Sequence, residues 1–538
     1  MLISRFRISF ALLLAPIVSS LAGNCHGDEL RDKVDYYYTR GGVWYSEGEY
    51  DKAIADYSEV IRLNPKHDFA YVNRGVSWAA KGEHDKAITD YSKAIRLDLK
   101  NAAVWNNRGN AWKAKGEYDK AIADHDEAIR LDPKYASAYY NRGLAWHFKG
   151  EDEKAIAEYS ESIRLDPENA SAWHNRGSSW KRKGDFDKAI RDYTESIRLR
   201  PADANTWNNR GIAWKHKGNY DKAIADYTEA IQLDPNTAHY YNNRGFVCYS
   251  KGDYDKAIAD YSDTVRLDPE YSEAFYVRGK AWYSKGDTDK AVADYNEAIR
   301  INPDYENAYY YRGNAWKAKG KYDKAIADYS EAIRLDPNDA WNRNSLGNAW
   351  NSKGEYDKAI TGYSEAIRVD PKFAIAYRNR GVVWRTKGEY DKAIADYNEA
   401  IRIEPKHVNG YNGRGIALSA KGVYHKAVSD YEEAIRLDPK HVDSYNRLAW
   451  LLATCPNANY RDGKKAIEHA TKACELSEWK VAGWIDTLAA AYAEAGDFDK
   501  AIEWQTKVVG MVSESDKPAY QRSLDLYRAG KPFRQQAK

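Results

Sequence analysis

The sequence contains little cysteine and no surplus of either charge. Among 538 residues there are 4 cysteines, too few for a scaffold held together by disulfides. Lysine and arginine number 82 against 80 aspartates and glutamates. The chain therefore lacks the basic surplus typical of a nucleic-acid binder and the single-sign block of a disordered tail. Aromatic residues make up 13% of the chain, which is too many for a disordered protein.

The first 22 residues have the order of a secretory signal peptide. Arg5 and Arg7 precede an apolar run that ends at Val18, and small residues allow cleavage after Ala22. The run is short for a permanent membrane span, and no other stretch of the sequence approaches that length. We therefore predict a signal peptide at residues 1–22 and an exported protein, periplasmic or extracellular.

Residues 23–33 are predicted to be a linker between this signal and the rest of the chain. Cys25 offers an alternative, a lipid anchor. A lipoprotein signal places its cysteine directly after a triplet like Leu-Ala-Gly, whereas here Asn24 comes between them. Lipidation is therefore kept only as an alternative.

Residues recur in this chain every 34 positions. Proline returns at this interval from Pro65 to Pro439, with Leu99 in one slot, and glycine and alanine series keep the same interval. Twelve copies run in register from Val34 to His441 without an insertion. Such regularity indicates units that bury their apolar faces only against their neighbours.

Each copy has the periodicity of two helices. In the copy at residues 102–135, Trp105 and Gly109 are four residues apart and begin a helical spacing. Gly116 suits the left-handed conformation that ends a helix, and Pro133 prevents continuation of the second helix. Positions are counted from the first residue of each copy, so that Gly109 is at position eight.

The repeated motif is similar to that of the tetratricopeptide repeat family. The spacing Tyr71-x2-Arg74-Gly75-x2-Trp78, followed by Ala87-x3-Tyr91 and the proline slot, resembles the family pattern Trp-x2-Leu-Gly-x2-Tyr, Ala-x3-Phe and Pro. The resemblance implies an all-α fold, a right-handed α-α superhelix of stacked helix pairs. It also implies a concave surface lined mainly by the first helix of each pair.

The 34-residue interval loosens after the twelve repeats at residues 34–441. Residues 442–481 are predicted to form an extended, degenerate repeat and residues 482–515 a further repeat. Residues 516–538 are predicted to form a C-terminal capping helix and tail, which would shield the last hydrophobic face. The expected architecture is thus about fourteen helix-turn-helix repeats plus a cap.

Arginine occupies position seven, where the family pattern has leucine. It is present in eleven of twelve copies, with an acid sixteen residues later. The copy at residues 340–373 lacks both partners, carrying Leu346 and Gly362 in their places. A buried guanidinium requires an acid partner, and the joint loss indicates that the pair forms within one repeat.

The sequence contains no catalytic motif. A phosphate-binding loop, a His-Glu-x2-His helix, a Gly-x-Ser-x-Gly elbow and a dinucleotide fingerprint are all absent from it. His125 replaces a recurring tyrosine and is interpreted as a packed substitute, while Cys455 and Cys474 are expected to be free thiols. We therefore expect no enzymatic activity, no cofactor and no metal.

Polar and basic side chains recur on the predicted first helices. An asparagine amide both donates and accepts, so a regular row of asparagines can bond the backbone of an extended peptide. The row resembles the asparagine ladder inside the repeat arm of O-linked N-acetylglucosamine transferases. A broken basic line follows at position twelve, and the alternative interpretation is that these polar residues only solvate a helix face. The candidate groove residues are Asn73, Asn107, Asn141, Asn175, Asn209, Asn243, Asn379, Lys113, Lys181, Lys215, Lys317 and Arg385.

These patterns predict a non-catalytic scaffold that binds an extended polypeptide, or several partners, along the groove. Two alternatives remain: a structural or assembly component of the bacterial envelope, and a regulatory subunit of an enzyme bound in trans. The expected partners are other proteins or peptides and not nucleic acid. The mature chain is expected to be a monomer without a stable membrane span.

Overall fold

The computed structural model describes residues 25–536, which form helices joined by short turns. No β-strand occurs within this range, as the resemblance predicted. The signal peptide expected at residues 1–22 lies outside the described residues. Of the helices within the range, none is long and apolar enough to span a bilayer.

Between residues 25 and 536 there are twenty-nine α-helices and one short 3-10 helix, Ala458–Tyr460. The chain divides into two compact units, Met1–Val247 and Cys248–Lys538. The α-helices are α1 Cys25–Ser46, α2 Tyr50–Leu63, α3 Asp68–Ala80, α4 His84–Leu97, α5 Ala102–Ala114, α6 Tyr118–Leu131, α7 Ala136–Phe148, α8 Asp152–Leu165, α9 Ala170–Arg182, α10 Phe186–Leu199, α11 Ala204–His216, α12 Tyr220–Leu233, α13 Ala238–Ser250, α14 Tyr254–Leu267, α15 Ser272–Lys285, α16 Thr288–Ile301, α17 Glu306–Ala318, α18 Tyr322–Leu335, α19 Ala340–Ser352, α20 Tyr356–Val369, α21 Ala374–Thr386, α22 Tyr390–Ile403, α23 Val408–Ala420, α24 Tyr424–Leu437, α25 Val442–Thr454, α26 Gly463–Leu476, α27 Ala482–Glu494, α28 Phe498–Met511 and α29 Lys517–Arg528.

The first helix begins earlier than the sequence predicted. Residues 25–33, expected to belong to a linker, are the first part of α1. Lys33 Nζ donates to Glu29 Oε1 at 3.1 Å, one helical turn away, which supports the helix at this point. Val34 is buried against Val60 of the second helix, so that α1 is also held by packing.

The helix ends of one repeat show how a hairpin is formed, with the turn glycine where the sequence indicated it. In the repeat at residues 102–135, Asn101 caps α5 by accepting a hydrogen bond from the backbone N–H of Ala103. Gly116 has a φ of 78°, in the left-handed region that favours glycine, and it lets the chain enter α6. Asp119 lies in the first turn of α6, where an acid is favourable.

The two helices of a hairpin cross where a glycine faces an aromatic ring. A Cβ atom at Gly211, position eight of its repeat, would lie 2.8 Å from Cε1 of Tyr227. Tyr227 is fully buried, as are most of the tyrosines at this position. The small residue at position eight is therefore a steric requirement for a close helix crossing.

Substitution of Gly211 by alanine is expected to lower the free energy of unfolding by roughly 1–3 kcal/mol, because the added methyl overpacks the crossing. Gly483 of α27 provides the matched control, since no heavy atom would lie within 4 Å of its Cβ. Gly483→Ala should stabilise the chain by about 0.5–1 kcal/mol through reduced entropy of the unfolded chain. Thermal unfolding followed by circular dichroism measures both changes. Equal effects of the two substitutions would contradict the steric explanation.

The arginine at position seven pairs within its own repeat, as predicted. In α11 and α12, Arg210 Nε donates to Asp226 Oδ2 and Arg210 Nη2 donates to Asp226 Oδ1, each at 2.8 Å. The third nitrogen, Nη1, donates to Thr194 Oγ1 of the preceding repeat at 3.0 Å. The same double engagement, with an acid in the same repeat and a polar side chain of the repeat before, recurs for Arg74, Arg108, Arg142, Arg176, Arg278, Arg312, Arg380 and Arg414.

A second ladder of ion pairs joins successive repeats, and the sequence analysis did not predict it. The lysine at position fourteen reaches the acid at position eighteen of the preceding repeat, as in Lys183 Nζ to Glu153 Oε1 at 2.5 Å. Because these pairs are exposed, each contributes at most about 1 kcal/mol. The pairs are Lys81–Asp51, Lys115–Asp85, Lys149–Asp119, Lys183–Glu153 and Lys217–Asp187 in the first unit, and Lys285–Asp255, Lys319–Asp289, Lys353–Asp323, Lys387–Asp357 and Lys421–Asp391 in the second.

The C-terminal end of the second unit is closed by α29. Tyr527 of this helix is 1% exposed and packs with Ala489 of α27 and Ala501 of α28. The helix therefore covers the last hairpin, the arrangement that a repeat array needs at its end. Cys455 and Cys474 are buried and both are free thiols, as expected.

Candidate functional site

The candidate groove residues all lie on the first helices of their hairpins. Within each unit these first helices lie beside one another, α3 beside α5 and α9 beside α11 for example. We call the face that they present at positions five, six, nine and twelve the first-helix surface. In the first unit, Asn73 is on α3, Asn107 and Lys113 on α5, Asn141 on α7, Asn175 and Lys181 on α9, Asn209 and Lys215 on α11, and Asn243 on α13; in the second, Lys317 is on α17 and Asn379 and Arg385 on α21.

The asparagines at position six bond chiefly to the neighbouring repeat. Asn175 Nδ2 donates to the hydroxyl of Tyr140 at 2.9 Å, and Asn243 Nδ2 donates to Asn208 Oδ1 at the same distance. In both cases the acceptor is at position five of the preceding repeat. Asn73, Asn141 and Asn379 make the same kind of bond, to Tyr38, Asn106 and Asn344.

This contact gives the asparagine row a structural reason to exist. The sequence analysis ascribed the recurrence to ligand binding, because an asparagine amide can bond the backbone of an extended peptide. The amide N–H groups instead hold adjacent first helices in register. The amide oxygens of Asn175 and Asn243 make no further hydrogen bond within the described residues, and they are what these asparagines can offer to a ligand.

Asn107 and Asn209 depart from this pattern. In the repeat before Asn107, position five is Val72, whose side chain offers no acceptor. The Asn107 side chain makes no hydrogen bond with the residues that the structure describes. Asn209 instead accepts a hydrogen bond from Lys181 Nζ at 2.7 Å. The position-twelve side chain of one repeat thus reaches position six of the next, and the two rows form one continuous surface.

The lysines at position twelve are partly buried and form no ion pair with the residues between 25 and 536. Burial lowers the pKa of Lys113 to about 8. Burial also lowers the pKa of Lys181 and Lys215. Lys215 Nζ lies 5.0 Å from the centre of the Phe246 ring, a favourable cation–π contact in which the partner is neutral. The first unit therefore carries cations whose charge no carboxylate neutralises.

The second unit also carries partly buried cations at position twelve, and further cations at two other positions. Burial lowers the pKa of Lys317, and Arg385 Nε is buried without a hydrogen-bond partner. The sequence analysis missed Arg378 and Lys280 on this surface. Arg378 Nη2 donates to Asn379 Oδ1 at 2.7 Å, and Lys280 Nζ lies 4.9 Å from the centre of the Tyr311 ring. Their positions, five and nine, share a helix face with position twelve, a spacing that would have revealed them.

One hairpin interior contains a histidine in the place of the recurring tyrosine. His125 is fully buried in the place of the recurring tyrosine, as predicted, and burial lowers its pKa to about 3. Both of its ring nitrogens lack hydrogen-bond partners, so this histidine serves packing. Within residues 25–536, no group of three or more His, Cys, Asp or Glu side chains is placed to hold a metal ion.

Sequence models of the tetratricopeptide repeat match stretches that together cover more than half of the chain. One model matches residues 34–67, 204–237, 306–339 and 374–407, a second 78–116, 109–150, 147–181, 245–286, 279–319 and 347–385, and two others match 170–203 and 408–441. The chain belongs to the tetratricopeptide repeat family. Proteins of this family bind other proteins or peptides.

Solved tetratricopeptide repeat structures resemble parts of this array. YrrB, described as a TPR protein with an unusual peptide-binding site, is 22% identical and covers 33% of this chain and 92% of its own, with a TM-score of 0.30. The MamA protein is 28% identical over 32% of this chain and 94% of its own, with a TM-score of 0.30. Yeast Tom70 is 16% identical over 86% of this chain and 96% of its own, with a TM-score of 0.36. With scores this low, the likenesses say nothing about what this tetratricopeptide repeat protein binds. No curated protein matches the chain.

Proposed function

We propose that this tetratricopeptide repeat protein is a non-catalytic scaffold that binds an extended polypeptide along its first-helix surface. The observation that supports the proposal is unused bonding capacity that recurs from repeat to repeat. Asn107 makes no side-chain hydrogen bond among the described residues, Asn175 and Asn243 retain free amide oxygens, and Lys113 lacks an acid. Partly exposed polar groups in this state are available to bond a ligand.

The spacing of these groups suits an extended chain. Packed helices lie about 8–10 Å apart. Three residues of a polypeptide in the extended polyproline II conformation span about 9 Å and return the side chain to the same face. A side chain that appears once in each hairpin therefore meets every third residue of a bound chain. Amide oxygens can accept from the ligand backbone whatever its sequence, and the cations add a preference for particular side chains.

A display library of random 12-residue peptides, selected on the immobilised full chain, tests the proposal. We expect enrichment of peptides whose affinity, measured by fluorescence anisotropy, falls about tenfold or more when Asn107 and Lys113 are replaced by alanine, since two polar contacts are removed. Asn107 is the informative position because its substitution breaks no bond between repeats. Lys93→Ala, on the exposed face of α4, is the matched control and should leave the affinity unchanged.

Sedimentation velocity of the same protein completes this test. A monodisperse chain that selects peptides supports the scaffold. A chain that selects no peptide and forms fibres as its concentration rises would contradict it in favour of a structural role.

We propose in addition that the scaffold acts outside the cytoplasm, in the periplasm or beyond. The support is the signal-like order of residues 1–22. The intact mass of the protein recovered from the periplasmic fraction should equal that of a chain that begins at Gly23. A mass that includes residues 1–22, or one that carries acyl chains on Cys25, would contradict cleavage after Ala22.

A further inference from the structure

The cations that recur at positions seven and fourteen of the first unit have acid partners, whereas the lysines at position twelve have none among the described residues. The arginines at position seven and the lysines at position fourteen are paired through the two ladders described above. Lys181 and Lys215, on adjacent first helices, form no ion pair with any described residue. Because the repeats are otherwise so alike, unpaired cations at one place are a departure that the fold itself does not require.

Lys181 and Lys215 are also close enough to repel one another. The charge of Lys215 adds to burial in lowering the pKa of Lys181. Their remaining contacts are with neutral groups, the amide oxygen of Asn209 for Lys181 and the Phe246 ring for Lys215. Two like charges held in a partly desolvated place are unfavourable until an anion joins them.

A cleft of about 490 Å³ opens beside Lys181. It is lined by residues of three successive hairpins, among them His147, Arg182 and His216. Phe186 and His216 stack with ring centres 4.7 Å apart and form one wall. The cleft is large enough for a side chain and the backbone that carries it.

The acid near this cleft is already engaged. Asp152 is buried, and its two oxygens accept from Arg182, Oδ2 from Nε at 2.6 Å and Oδ1 from Nη2 at 2.5 Å. Asp203, at the N-terminus of α11, lies near His174 and accepts from Thr206 Oγ1 at 2.7 Å. Neither carboxylate neutralises Lys181 or Lys215, so the two ammonium groups, one of them beside the cleft, present positive charge to a ligand.

We propose that α9, α11 and this cleft bind an acidic segment of an extended polypeptide, in which Lys181 and Lys215 each receive a carboxylate. The proposal rests on the function proposed above and specifies the chemistry of the bound chain. The two lysines occupy the same position on adjacent first helices, so carboxylates three residues apart, on one face of a polyproline II chain, reach both of them. Charge-assisted bonds to the two ammonium groups then replace the repulsion between them.

Two labelled 15-residue peptides test the proposal, one with glutamate at every third position among serine and glycine and one with glutamine in its place. Anisotropy titrations with the full chain, at low and at physiological salt, should show the glutamate peptide binding about tenfold tighter or more. Lys181→Gln with Lys215→Gln should abolish that difference. The matched control, Lys183→Gln with Lys217→Gln, removes the same charge from residues beside α9 and α11 that already pair with Glu153 and Asp187, and it should preserve the difference.

Several results would overturn the inference. These are equal binding of the two peptides, an equal loss in both double variants, or binding of a 15-nucleotide single-stranded oligothymidylate as tight as that of the glutamate peptide. Equal binding of the two peptides that depends on Asn107 would overturn the acidic preference and leave the scaffold function standing. If the display library yields ligands while neither designed peptide binds, the inference alone fails. Circular dichroism of each variant confirms that the helices are intact.

Discussion

Replacing Asp226 by alanine is expected to lower the free energy of unfolding of its hairpin by about 3–5 kcal/mol, because it leaves a largely buried guanidinium without its acid. The side chain of Arg210 is 16% exposed and that of Asp226 is 6% exposed. Hydrogen exchange of the α11 and α12 amides measures the loss where it occurs, which matters in an array that can open locally.

The repeat at residues 340–373 suggests the informative double variant. It carries Leu346 and Gly362 in the two positions, so Arg210→Leu with Asp226→Gly copies a natural repeat. We expect the double variant to lose less stability than Asp226→Ala alone, since no buried charge remains. Asp187→Ala, which breaks an exposed pair with Lys217, should cost at most about 1 kcal/mol and serves as the control. A double variant that loses the sum of its two single substitutions would show that the pair is not coupled.

Burial outweighs pairing at several members of this ladder. The pKa of Asp192 is raised by burial even though Arg176 acts in the opposite direction. The same holds for Asp294, Asp328 and Asp396, opposed by their own arginines. The arginine–acid pairs therefore determine which side chains contact one another more than they stabilise the fold. Removing both members of a pair should cost less stability than removing one.

Asp486→Asn is expected to stabilise the C-terminal end by about 3 kcal/mol above pH 7, because it removes a buried charge. Burial raises the pKa of Asp486 to about 6. The ordinary pKa of an unfolded aspartate is about 3.9, so protonation favours the folded form. The contribution is complete below about pH 4 and is lost as the pH rises through 6.

The surroundings of Asp486 account for this shift. Asp486 Oδ1 accepts a hydrogen bond from Gln505 Nε2 at 2.8 Å. The same nitrogen also donates to the backbone oxygen of Tyr520 at 3.0 Å. Gln505 Oε1 is buried without a partner, and an asparagine at position 486 would offer it a donor. The α29 cap should therefore hold more firmly at pH 5 than at pH 7.5 in the native chain.

Limited proteolysis and hydrogen exchange of α27 to α29 between pH 4 and pH 8 measure this dependence. In Asp486→Asn it should disappear. Asp525→Asn, an exposed acid of the cap helix, should retain it. A native chain whose cap is equally protected at both ends of this range would contradict the assignment to Asp486.

Much of the fold followed from the period of the sequence. The turn glycines, the helix pair and the partner of Arg210 could all be predicted because each depends on residues inside one 34-residue copy. Contacts between copies were harder to predict from the sequence. The bond from Asn175 to Tyr140 and the pair Lys183–Glu153 depend on how far one hairpin is displaced from the next, which the spacing within a copy does not specify.

The candidate surface shows the same limit. The sequence identified the rows at positions six and twelve but not which groups remain free, since that depends on the residue at position five of the neighbouring repeat. Asn107 and Asn175 look equivalent in the sequence, yet only Asn175 donates to a neighbour. The reason is position five of the preceding repeat, which is Tyr140 for Asn175 and Val72 for Asn107. Lys280 and Arg378 were missed because each occurs once at its position, without the recurrence that draws attention to the rows.

The double engagement of the arginine at position seven bears on how such a chain can grow. Each repeat supplies an arginine that reaches backward and a hydroxyl, amide or carboxylate that receives the arginine of the repeat that follows. Duplicating a 34-residue segment would therefore create a working junction at once, with no compensating change elsewhere. The repeat that carries Leu346 is the exception. Its Ser364 accepts a hydrogen bond from Arg380 of the following repeat, but Leu346 cannot donate to the repeat before it.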